Sequence, residues 1–501
     1  GTGNASPNII TMTGSGKATL AGDGGNDTLT GGSNQDILNG GNDNDVLNGG
    51  DELDILLGAD GNDQLNGGEG DDYLAGSEGD DVLNGDGGYD RAAYYIGATA
   101  GVTVDLNQQG VAQNTGQGMD TLNGIENVSG TAYGDTLTGD SGDNWLWGST
   151  SYDEGGVYTG LNNDTLDGGD GNDLLTVGAG DHSLTGGGGN DTVRFSENGA
   201  PETGVSISLA LQGGAQATGN GSWTLNGIEN LSGGIADDQL MGDGGDNLLA
   251  GDGGNDTLSG GSGNDTLYGD GHINVDTHVG GTSGPIVITI DGGANGNDTL
   301  EGGLGDDHID GGAGIDTATY ANAGGGVNVN LAAGFALGSD GNDSLVNIEN
   351  ATGSEFDDLL EGDDSDNVLD GLGGNDLIQG FGGNDTLYGG DGDDTIRGDL
   401  GENNLSVTGD DIVFGGNGND SLRGGLGDDQ LYGGANNDLL RGNGGVDYFD
   451  GGSDDGEGVN GIGDRVSFFV QRATQGVIAD LRTGIISNDG FGNVETMVGI
   501  E

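Results

Sequence analysis

The chain has 501 residues, among them 120 glycines and no cysteine, and its 85 acidic and 9 basic residues give a formal net charge of -76. Such a charge excludes binding to nucleic-acid phosphates or to an anionic membrane, because both need clustered lysine and arginine. The hydrophobic fraction of 31% is typical of a disordered chain unless cations neutralise the carboxylates. No apolar run approaches the ~20 residues that span a bilayer, and disulfides and thiolate metal sites are excluded.

A nine-residue period governs the first predicted block, residues 1-92. An aspartate recurs every nine residues, and an apolar residue follows it two positions later, as Leu29 follows Asp27. The glycines before each aspartate predict a turn, because glycine accepts positive φ and close backbone approach. The three residues after the aspartate predict a short strand with an inward-pointing middle side chain. The predicted metal ligands of this block are Asp27, Asp36, Asp45, Asp54, Asp63, Asp72, Asp81 and Asp90.

Two nonapeptides predict one coil of 18 residues with a strand on each side. Asp27 and Asp45 would then stack along one edge, and Asp36 and Asp54 along the other. Coils lie about 4.8 Å apart, so ionised carboxylates in these rows would repel one another strongly. Calcium takes 6–8 oxygen ligands at roughly 2.3–2.6 Å. The rows therefore predict calcium between successive turns, bound by carboxylates and loop carbonyls.

The nonapeptides return in three further predicted blocks. These are residues 134-194 with an insertion at 149-162, residues 237-317 with an insertion at 271-297, and residues 357-465. The aspartates predicted to bind metal there are Asp164, Asp173, Asp191, Asp238, Asp256, Asp265, Asp298, Asp307, Asp316, Asp358, Asp376, Asp385, Asp394, Asp411, Asp420, Asp429, Asp438 and Asp447. Departures from aspartate predict weakened or missing sites near block ends, at Asn144, His182, Asn247, Asn367 and Asn403.

Four longer spacers interrupt the blocks, at residues 93-133, 195-236, 318-356 and 466-501. Each opens on alternating apolar residues, as in Val102-Thr103-Val104, which predict half-buried strands in wider coils with a thicker core. A glutamate recurs near the end of each spacer. No partner acid recurs at a matching distance, so a calcium-ligand or capping role is favoured over a catalytic one. These glutamates are Glu126, Glu229, Glu349 and Glu495.

Two features of the insertions suggest further contacts. Leu146 takes the inward place of its strand, so Trp145 and Trp147 should face outward, where they could stack on a sugar, meet a partner chain or be covered by the insertion 149-162. The insertion 271-297 predicts an added strand at residues 285-290. It also carries two histidines, which are a weak indication of a transition-metal site.

The two ends of the sequence resemble parts of spacers. Residues 8-15 are similar to residues 347-354, and the last residues repeat the end of a spacer. Two hypotheses follow. The sequence is excised from a longer parent, or its open solenoid faces stack head to tail into a filament.

Copies such as Gly389-Gly390-Asp391-Gly392-Asp393-Asp394-Thr395-Ile396-Arg397 resemble the nonapeptide GGxGxDxUx of RTX (repeats-in-toxin, haemolysin-type) calcium-binding proteins. The resemblance implies an all-β fold, a right-handed parallel β-roll or β-helix solenoid with four longer β spacer units and loop insertions. It implies that the sixth-position aspartate and turn carbonyls bind several Ca²⁺ ions. It also implies a secreted protein near the surface of a Gram-negative bacterium, exported unfolded by type I secretion.

The repeat is compatible with three functions. The favoured one is a non-enzymatic calcium-binding scaffold that folds outside the cell, as a cell-surface, surface-layer, filament, matrix or adhesin protein. The second is the calcium-dependent accessory region of a secreted enzyme or toxin. The third is a carbohydrate-binding module that uses Trp145 and Trp147. The expected partners are calcium and, beyond it, further copies of the chain or a cell-surface polysaccharide.

Overall fold

The computed structural model describes residues 1-12, 16-148, 162-195, 203-275, 288-291, 295-399, 408-453, 463-468, 478-480, 484-489 and 493-500. The chain divides into two compact units. The first comprises Gly1–Gly242, Leu248–Gly254 and Gly271–Ala294, and the second comprises Asp243–Asn247, Asn255–Asp270 and Asn295–Glu501. In the described residues, both units consist of short β-strands and turns, with brief 3-10 turns at Leu106–Gln108 and Leu209–Leu211.

In the first unit, strands 18 residues apart pair in parallel and in register. Leu20 lies opposite Leu38, and Leu38 opposite Leu56, while Leu29 and Leu47 pair in the same way on the other side of the coil. The strands of one side are Thr2–Ala5, Thr19–Gly24, Ile37–Asn42, Ile55–Asp60, Tyr73–Glu78, Arg91–Ala93, Asn127–Ser129, Trp145–Trp147, Leu174–Val177, Thr192–Phe195, Asn230–Ser232 and Leu248–Asp252.

The opposite side of the first unit is divided into three parallel sheets. The first contains Ile9–Thr11, Thr28–Thr30, Val46–Asp51, Gln64–Glu69, Val82–Gly87 and Met119–Asn123. The second contains Thr103–Asp105, Thr136–Thr138, Thr165–Asp170, His182–Gly188 and Ser222–Asn226. Ser206–Ser208 pairs with Gln239–Met241 in the third. The strand predicted at residues 285-290 is present in its described part, where Ile288–Asp291 pairs antiparallel with His272–Val275; residues 285-287 lie outside the described residues.

The second unit repeats the arrangement, and its strands are again parallel and in register. One side contains Thr257–Ser262, Thr299–Leu304, Thr317–Thr319, Asn350–Thr352, Val368–Asp370, Thr386–Asp391, Ile412–Asn417, Gln430–Ala435, Tyr448–Ser453 and Glu495–Val498. The other contains Thr266–Asp270, His308–Asp310, Asn342–Val346, Val327–Asn330, Leu359–Glu361, Leu377–Phe381, Thr395–Asp399, Ser421–Leu426, Leu439–Gly444 and Arg465–Val466.

The core is one side chain wide in the nonapeptide blocks. The middle residue of each three-residue strand segment is buried, as Leu29, Leu38 and Leu47 are at 0% exposure. Its two neighbours are half-buried or exposed in most segments, whereas Tyr73 and Ala75 are buried on both sides of Leu74. Full burial of one such side chain stabilises the fold by about 1.5–3 kcal/mol. This pattern confirms the coil predicted from the period and the parallel β-roll that the family resemblance implies.

The spacers widen a coil by adding an antiparallel strand, a feature that the sequence did not predict. Gln113–Asn114 pairs with Met119–Asn123 in the first spacer, and Ala215–Ala217 pairs with Ser222–Asn226 in the second. Phe335–Gly338 does the same in the third. The extra strands of the fourth are Ile478–Asp480 and Ile485–Asn488. Larger apolar side chains enter the core there, among them Trp223 at 0% exposure.

Candidate metal centres

Glycine is favoured at three places in the turn for two physical reasons. With the aspartate as position 6 of the nonapeptide, position 1 of one repeat is Gly22. A Cβ on Gly22 would lie closer than 3.0 Å to Oδ2 of Asp27 and to the carbonyl oxygen of Gly40 in the next coil. Positions 2 and 4 have positive φ, 109° at Gly41 and 146° at Gly61, a region that L side chains rarely occupy. The repeat therefore uses glycine for close approach at position 1 and favours it at positions 2 and 4, where other residues such as Ala59 and Asp43 also adopt positive φ.

The position-6 aspartates of successive coils are linked along each edge. The N–H of Asp27 donates to Oδ1 of Asp45 at 2.7 Å, and the N–H of Asp45 donates to Oδ1 of Asp63 at 2.8 Å. All the aspartates predicted to bind metal are at most 5% exposed. One oxygen of each carboxylate is thus used to hold the neighbouring coil, and the stacking expected from the period is present.

These hydrogen bonds form rows of buried side chains, called the acidic ladders below. In the first unit they are Asp36-Asp54-Asp72-Asp90-Glu126, Asn144-Asp173-Asp191-Glu229, Asp27-Asp45-Asp63-Asp81-Asp120 and Asp135-Asp164-His182. Asp238 accepts from the N–H of Val205 in the same way. In the second unit they are Asn247-Asp265-Asp307-Asp343, Asp256-Asp298-Asp316-Glu349, Asn367-Asp385-Asp411-Asp429-Asp447 and Asp358-Asp376-Asp394-Asp420-Asp438-Asp464.

The second carboxylate oxygen of most ladder aspartates is buried and receives no hydrogen bond from the described residues. A buried carboxylate oxygen without a partner is costly, because burial removes its hydration. Such an oxygen therefore calls for a cation or a proton. The aspartates concerned are Asp27, Asp45, Asp54, Asp63, Asp72, Asp81, Asp90, Asp164, Asp173, Asp191, Asp265, Asp307, Asp316, Asp376, Asp385, Asp394, Asp411, Asp420, Asp429 and Asp447.

Burial also makes these carboxyl groups weaker acids. It raises the pKa of Asp54 to about 7, that of Asp90 to about 8 and that of Asp429 to about 9. Hydrogen bonds from backbone N–H groups oppose this effect, and the negative charge of the neighbouring ladder carboxylates adds to it. The ladders therefore favour either bound protons or bound cations over bare ionised carboxylates.

The oxygens around Asp265 show how a ladder aspartate could share a calcium ion with the next coil. Oδ2 of Asp265 and the carbonyl oxygen of Gly302 lie within 2.5 Å of the point that a Cβ on Gly260 would occupy, so about 5 Å or less separates them. Two oxygens on one calcium at roughly 2.3–2.6 Å are at most about 5.2 Å apart. No three acidic or histidine side chains of the described residues form a metal-binding group, so backbone carbonyls must supply much of the coordination. A donor set of carboxylate and carbonyl oxygens suits a hard cation.

The turns adopt two conformations, called open and closed. In an open turn, position 2 has positive φ, and in most open turns the preceding strand continues through position 3, as in Val46–Asp51 before Asp54. The open turns with fully described residues end at Asp27, Asp45, Asp54, Asp63, Asp72, Asp81, Asp90, Asp173, Asp191, Asp256, Asp265, Asp307, Asp316, Asp376, Asp385, Asp394, Asp420, Asp429, Asp438 and Asp447.

In a closed turn, the position-2 N–H donates to the side chain at position 6. This bond is 2.5–2.8 Å long, position 2 lacks positive φ, and the preceding strand ends after three residues, as in Thr136–Thr138. In the aspartate turns, the acceptor is Oδ2, the carboxylate oxygen that receives no hydrogen bond in most open turns. The closed turns end at Asp36, Asp135, Asn144, Asp238, Asn247, Asp358 and Asn367.

The spacer glutamates occupy the aspartate position of their coils. Val128 pairs with Ala92, so Glu126 takes the place that Asp90 has one coil earlier. The N–H of Asp90 donates to Oε2 of Glu126 at 2.8 Å, and Glu229 and Glu349 accept from ladder aspartates at 2.8 and 2.9 Å. These three glutamates therefore end acidic ladders, as the predicted capping role requires.

His182 keeps the ladder hydrogen bond without the carboxylate. Its Nδ1 accepts from the N–H of Asp164 at 3.1 Å, and its Nε2 lies 3.0 Å from the carbonyl oxygen of Gly178, so the proton is on Nε2. The ring packs edge-on against Trp223. Position 1 of this repeat is Val177, a residue with a Cβ. A Cβ is tolerated at position 1 here because position 6 has no carboxylate. This exception supports the view that glycine is used at position 1 to leave room for an aspartate Oδ2.

The outward tryptophans are described, although most of the insertion after them is not. Trp145 and Trp147 are half-buried on either side of the buried Leu146, as predicted. Their rings stack on each other with centroids 5.0 Å apart, and Trp145 Nε1 donates to Thr176 Oγ1 at 2.9 Å. Residues 149-161, His278 and Asn403 lie outside the described residues. Three expectations therefore stay predictions: that the insertion covers the tryptophans, that His278 helps to bind a transition metal, and that Asn403 marks a weakened site.

The fold and the ladders define the class of the protein. A parallel β-roll with glycine turns, and with buried carboxylates in register along its edges, is a calcium-binding solenoid. The model of one family, described as the RTX calcium-binding nonapeptide repeat, matches residues 12–47, 21–56, 57–92, 116–153, 158–193, 223–258, 232–267, 251–272, 289–318, 348–378, 371–405, 407–440 and 423–456.

These matches cover more than half of the chain, which therefore belongs to the RTX calcium-binding repeat family. Repeats of this family bind Ca²⁺, are generally non-catalytic and are typical of secreted proteins. A search of curated proteins found no match. Among the described residues, there is no helix with the length and apolarity that a membrane span requires.

Proposed function

We propose that this protein is a secreted, non-enzymatic scaffold that becomes compact when Ca²⁺ binds its acidic ladders. The observation that carries the proposal is the row of buried Oδ2 atoms without hydrogen-bond donors, such as those of Asp45, Asp63 and Asp81. The proposed ligands are the position-6 aspartates predicted from the sequence, together with the carbonyl oxygens of the neighbouring turns. Bound calcium supplies positive charge and oxygen coordination at these edges.

The scaffold role follows from how the chain uses its carboxylates. Outside the cell, millimolar calcium matches extracellular modules with dissociation constants of about 10⁻⁴–10⁻³ M. Binding free energy then becomes folding free energy, because the ligands come together only in the coil. Stacked coils that recur in both units suit a cell-surface, surface-layer, matrix or adhesin protein. Head-to-tail self-association and binding to a surface polysaccharide are the proposed ways in which it would act.

Circular dichroism and light scattering on the chelated chain test this proposal. Addition of Ca²⁺ should produce strand signal and a smaller hydrodynamic radius. Mg²⁺ at the same concentration is the control, and it should act weakly, because it demands octahedral geometry at about 2.0–2.1 Å and keeps its waters. Equal strand content before and after exhaustive chelation at neutral pH would contradict calcium-dependent folding.

The calcium-dependent accessory region of a secreted enzyme or toxin is the second candidate, since the same repeats would fold there in the same way. The two roles differ in what the isolated chain does once calcium is bound. A scaffold should assemble with itself or bind a polysaccharide, which light scattering and a glycan array detect. A chain that stays monomeric and binds no glycan favours the accessory role.

A further inference from the structure

The closed turns follow the spacers in a fixed pattern. After each of the spacers 93-133, 195-236 and 318-356, the next two nonapeptides both have closed turns. The first of each pair ends in aspartate and the second in asparagine. The three pairs are Asp135 with Asn144, Asp238 with Asn247, and Asp358 with Asn367. One further closed turn ends at Asp36, in the N-terminal block.

The aspartate of a closed turn already has donors on both oxygens. Oδ2 of Asp135 accepts from the N–H of Thr131 at 2.6 Å, and Oδ1 accepts from the Thr131 hydroxyl at 2.9 Å and from the N–H of Val102 at 2.7 Å. Asp358 is held in the same way by Ser354, at 2.5 and 2.9 Å. An N–H group that donates to Oδ2 occupies the position that a cation would take. The N–H group and the calcium ion therefore compete for the same carboxylate oxygen.

The asparagine of a closed turn carries no charge and has both ends of its amide in use. Oδ1 of Asn144 accepts from the N–H of Asp140 at 2.7 Å, while its Nδ2 donates to the carbonyl oxygen of the spacer residue Glu126 at 2.8 Å. Asn367 makes the same pair of bonds, at 2.8 Å and 2.7 Å. Because Nδ2 is itself a donor, this side chain presents a positive dipole end to the ladder.

A short polar side chain at position 2 holds most of these turns closed. The N–H of position 4 donates to it, as Tyr133 does to the Thr131 hydroxyl at 3.0 Å and Gly142 does to Asp140 Oδ1 at 2.8 Å. Equivalent bonds close the turns at Ser354, Asp243 and Asp363. These are the local turns that serine, threonine and aspartate form with their own backbone. These side-chain bonds support the closed state, but a short polar residue at position 2 does not by itself close a turn, because Asp23, Ser77 and Asp86 have positive φ in open turns.

We propose that the coil following each of these three spacers binds no calcium, so that the bound ions are grouped in blocks separated by metal-free junctions. The proposal rests on the proposed function, since it concerns which turns take the calcium. It removes Asp238 and Asp358 from the ligands predicted by sequence, and the same geometry removes Asp36. Stability of a solenoid is a sum of local terms, so each block should load and release calcium as its own unit.

Anomalous diffraction from crystals of the calcium-loaded chain tests this directly. Difference peaks are expected beside open-turn aspartates such as Asp173 and Asp376, and none beside Asp135 or Asp358. Peaks beside the closed turns would overturn this proposal while leaving calcium binding intact. Peaks at neither class would overturn the proposed function, and this proposal with it.

Matched substitutions extend the test to solution, with calcium binding followed by isothermal titration and folding by circular dichroism. Asp358→Asn should leave the number of bound ions unchanged, because the closed turn binds none. The amide nitrogen can no longer accept from the N–H of Val327 or of Ser354, so this variant should lose some stability without losing calcium. Asp376→Asn, one coil later, should weaken its own site about 10-fold or more, as loss of a metal-site contact does. Equal loss of calcium in both variants would contradict the metal-free junction.

A gain of binding gives a result that a misfolded variant cannot imitate. The double substitution Ser354→Gly with Phe356→Gly restores glycine at positions 2 and 4 of the repeat that ends at Asp358. Phe356 is 46% exposed, so little core is lost. The variant should open the turn and bind at least one more Ca²⁺ ion per chain than the parent. An unchanged ion count in the folded variant would refute the view that turn conformation decides occupancy.

Discussion

Removal of calcium at neutral pH should unfold the blocks, and acid should partly restore them. Neighbouring carboxylates of one ladder, such as Asp45 and Asp63, are one coil apart, about 4.8 Å. Two unit charges at that distance repel by about 1 kcal/mol in water and about 3.5 kcal/mol at an effective dielectric constant of 20. A whole domain is stable by only about 5–15 kcal/mol. Several such pairs along the two edges of residues 27-90 are therefore enough to abolish the fold.

The pH dependence has a definite sign. Burial raises the pKa of Asp63 to about 6, that of Asp72 to about 7 and that of Asp81 to about 8, above the ordinary value of 3.8. Groups whose pKa is higher in the folded state favour that state fully below pH 4, and the benefit is lost as pH rises through about 6–8. In a chelator, the chain should therefore become more compact between about pH 8 and pH 4.5.

Small-angle scattering and circular dichroism along a pH series in EGTA would measure this effect. The radius should fall and the strand signal should rise as the ladders take up protons, with most of the change between pH 8 and pH 5. A parallel series in excess Ca²⁺ is the control and should show compact chains at pH 7. Compact, strand-rich protein at pH 8 in EGTA would refute the electrostatic reasoning, and so would a chain that expands on acidification.

Three further predictions concern single sites, with denaturant unfolding in excess Ca²⁺ as the measurement. Gly260→Ala places a Cβ against Oδ2 of Asp265 and should cost about 1–3 kcal/mol, whereas Gly244→Ala, whose Cβ meets nothing within 4 Å, should be neutral. Leu65→Ala empties part of the narrow core and should cost about 2–5 kcal/mol; a loss below 1 kcal/mol would mean that the coil closes over the gap. Glu126→Ala removes the acceptor of a buried N–H and should cost about 1–3 kcal/mol, while Glu126→Gln should recover most of it.

The coil and its edges could be predicted from sequence because their causes are local. Leu38 is apolar because it fills a one-residue core. Asp36 recurs because its carboxylate accepts an N–H from the preceding coil, that of Ala18. Each cause repeats every nine residues, so the period alone gives the coil length, the inward side chains and the ladders. The spacer glutamates were predicted to act as ligands or caps, and Glu126, Glu229 and Glu349 do end ladders.

Two features depend on contacts that the period does not encode. The antiparallel strand Gln113–Asn114 pairs with residues a few positions later in the chain, and nothing in its two residues marks it as a strand. The difference between open and closed turns depends on φ at position 2, which glycine leaves undecided: Gly41 is in an open turn and Gly32 in a closed one. A signal was nevertheless present. The motif Gly-Asp-x-x-Asp-Asn occurs at residues 139-144, 242-247 and 362-367, and all three turns are closed.

The asparagines have a physical reason to stand where they do. Each follows a spacer glutamate by 18 residues, as Asn144 follows Glu126 and Asn367 follows Glu349, and so lies one coil beyond the charge that ends a ladder. An aspartate in place of Asn144 would put a third carboxylate between the half-buried Glu126 and the buried Asp173, in a turn whose N–H groups are already committed to hydrogen bonds. Asparagine keeps the acceptor for the turn and adds a donor that binds the carbonyl of the glutamate. The metal-free junction can therefore hold two coils together without an ion. Asparagine in place of aspartate would weaken an open turn, but in these closed turns it is the more stable residue.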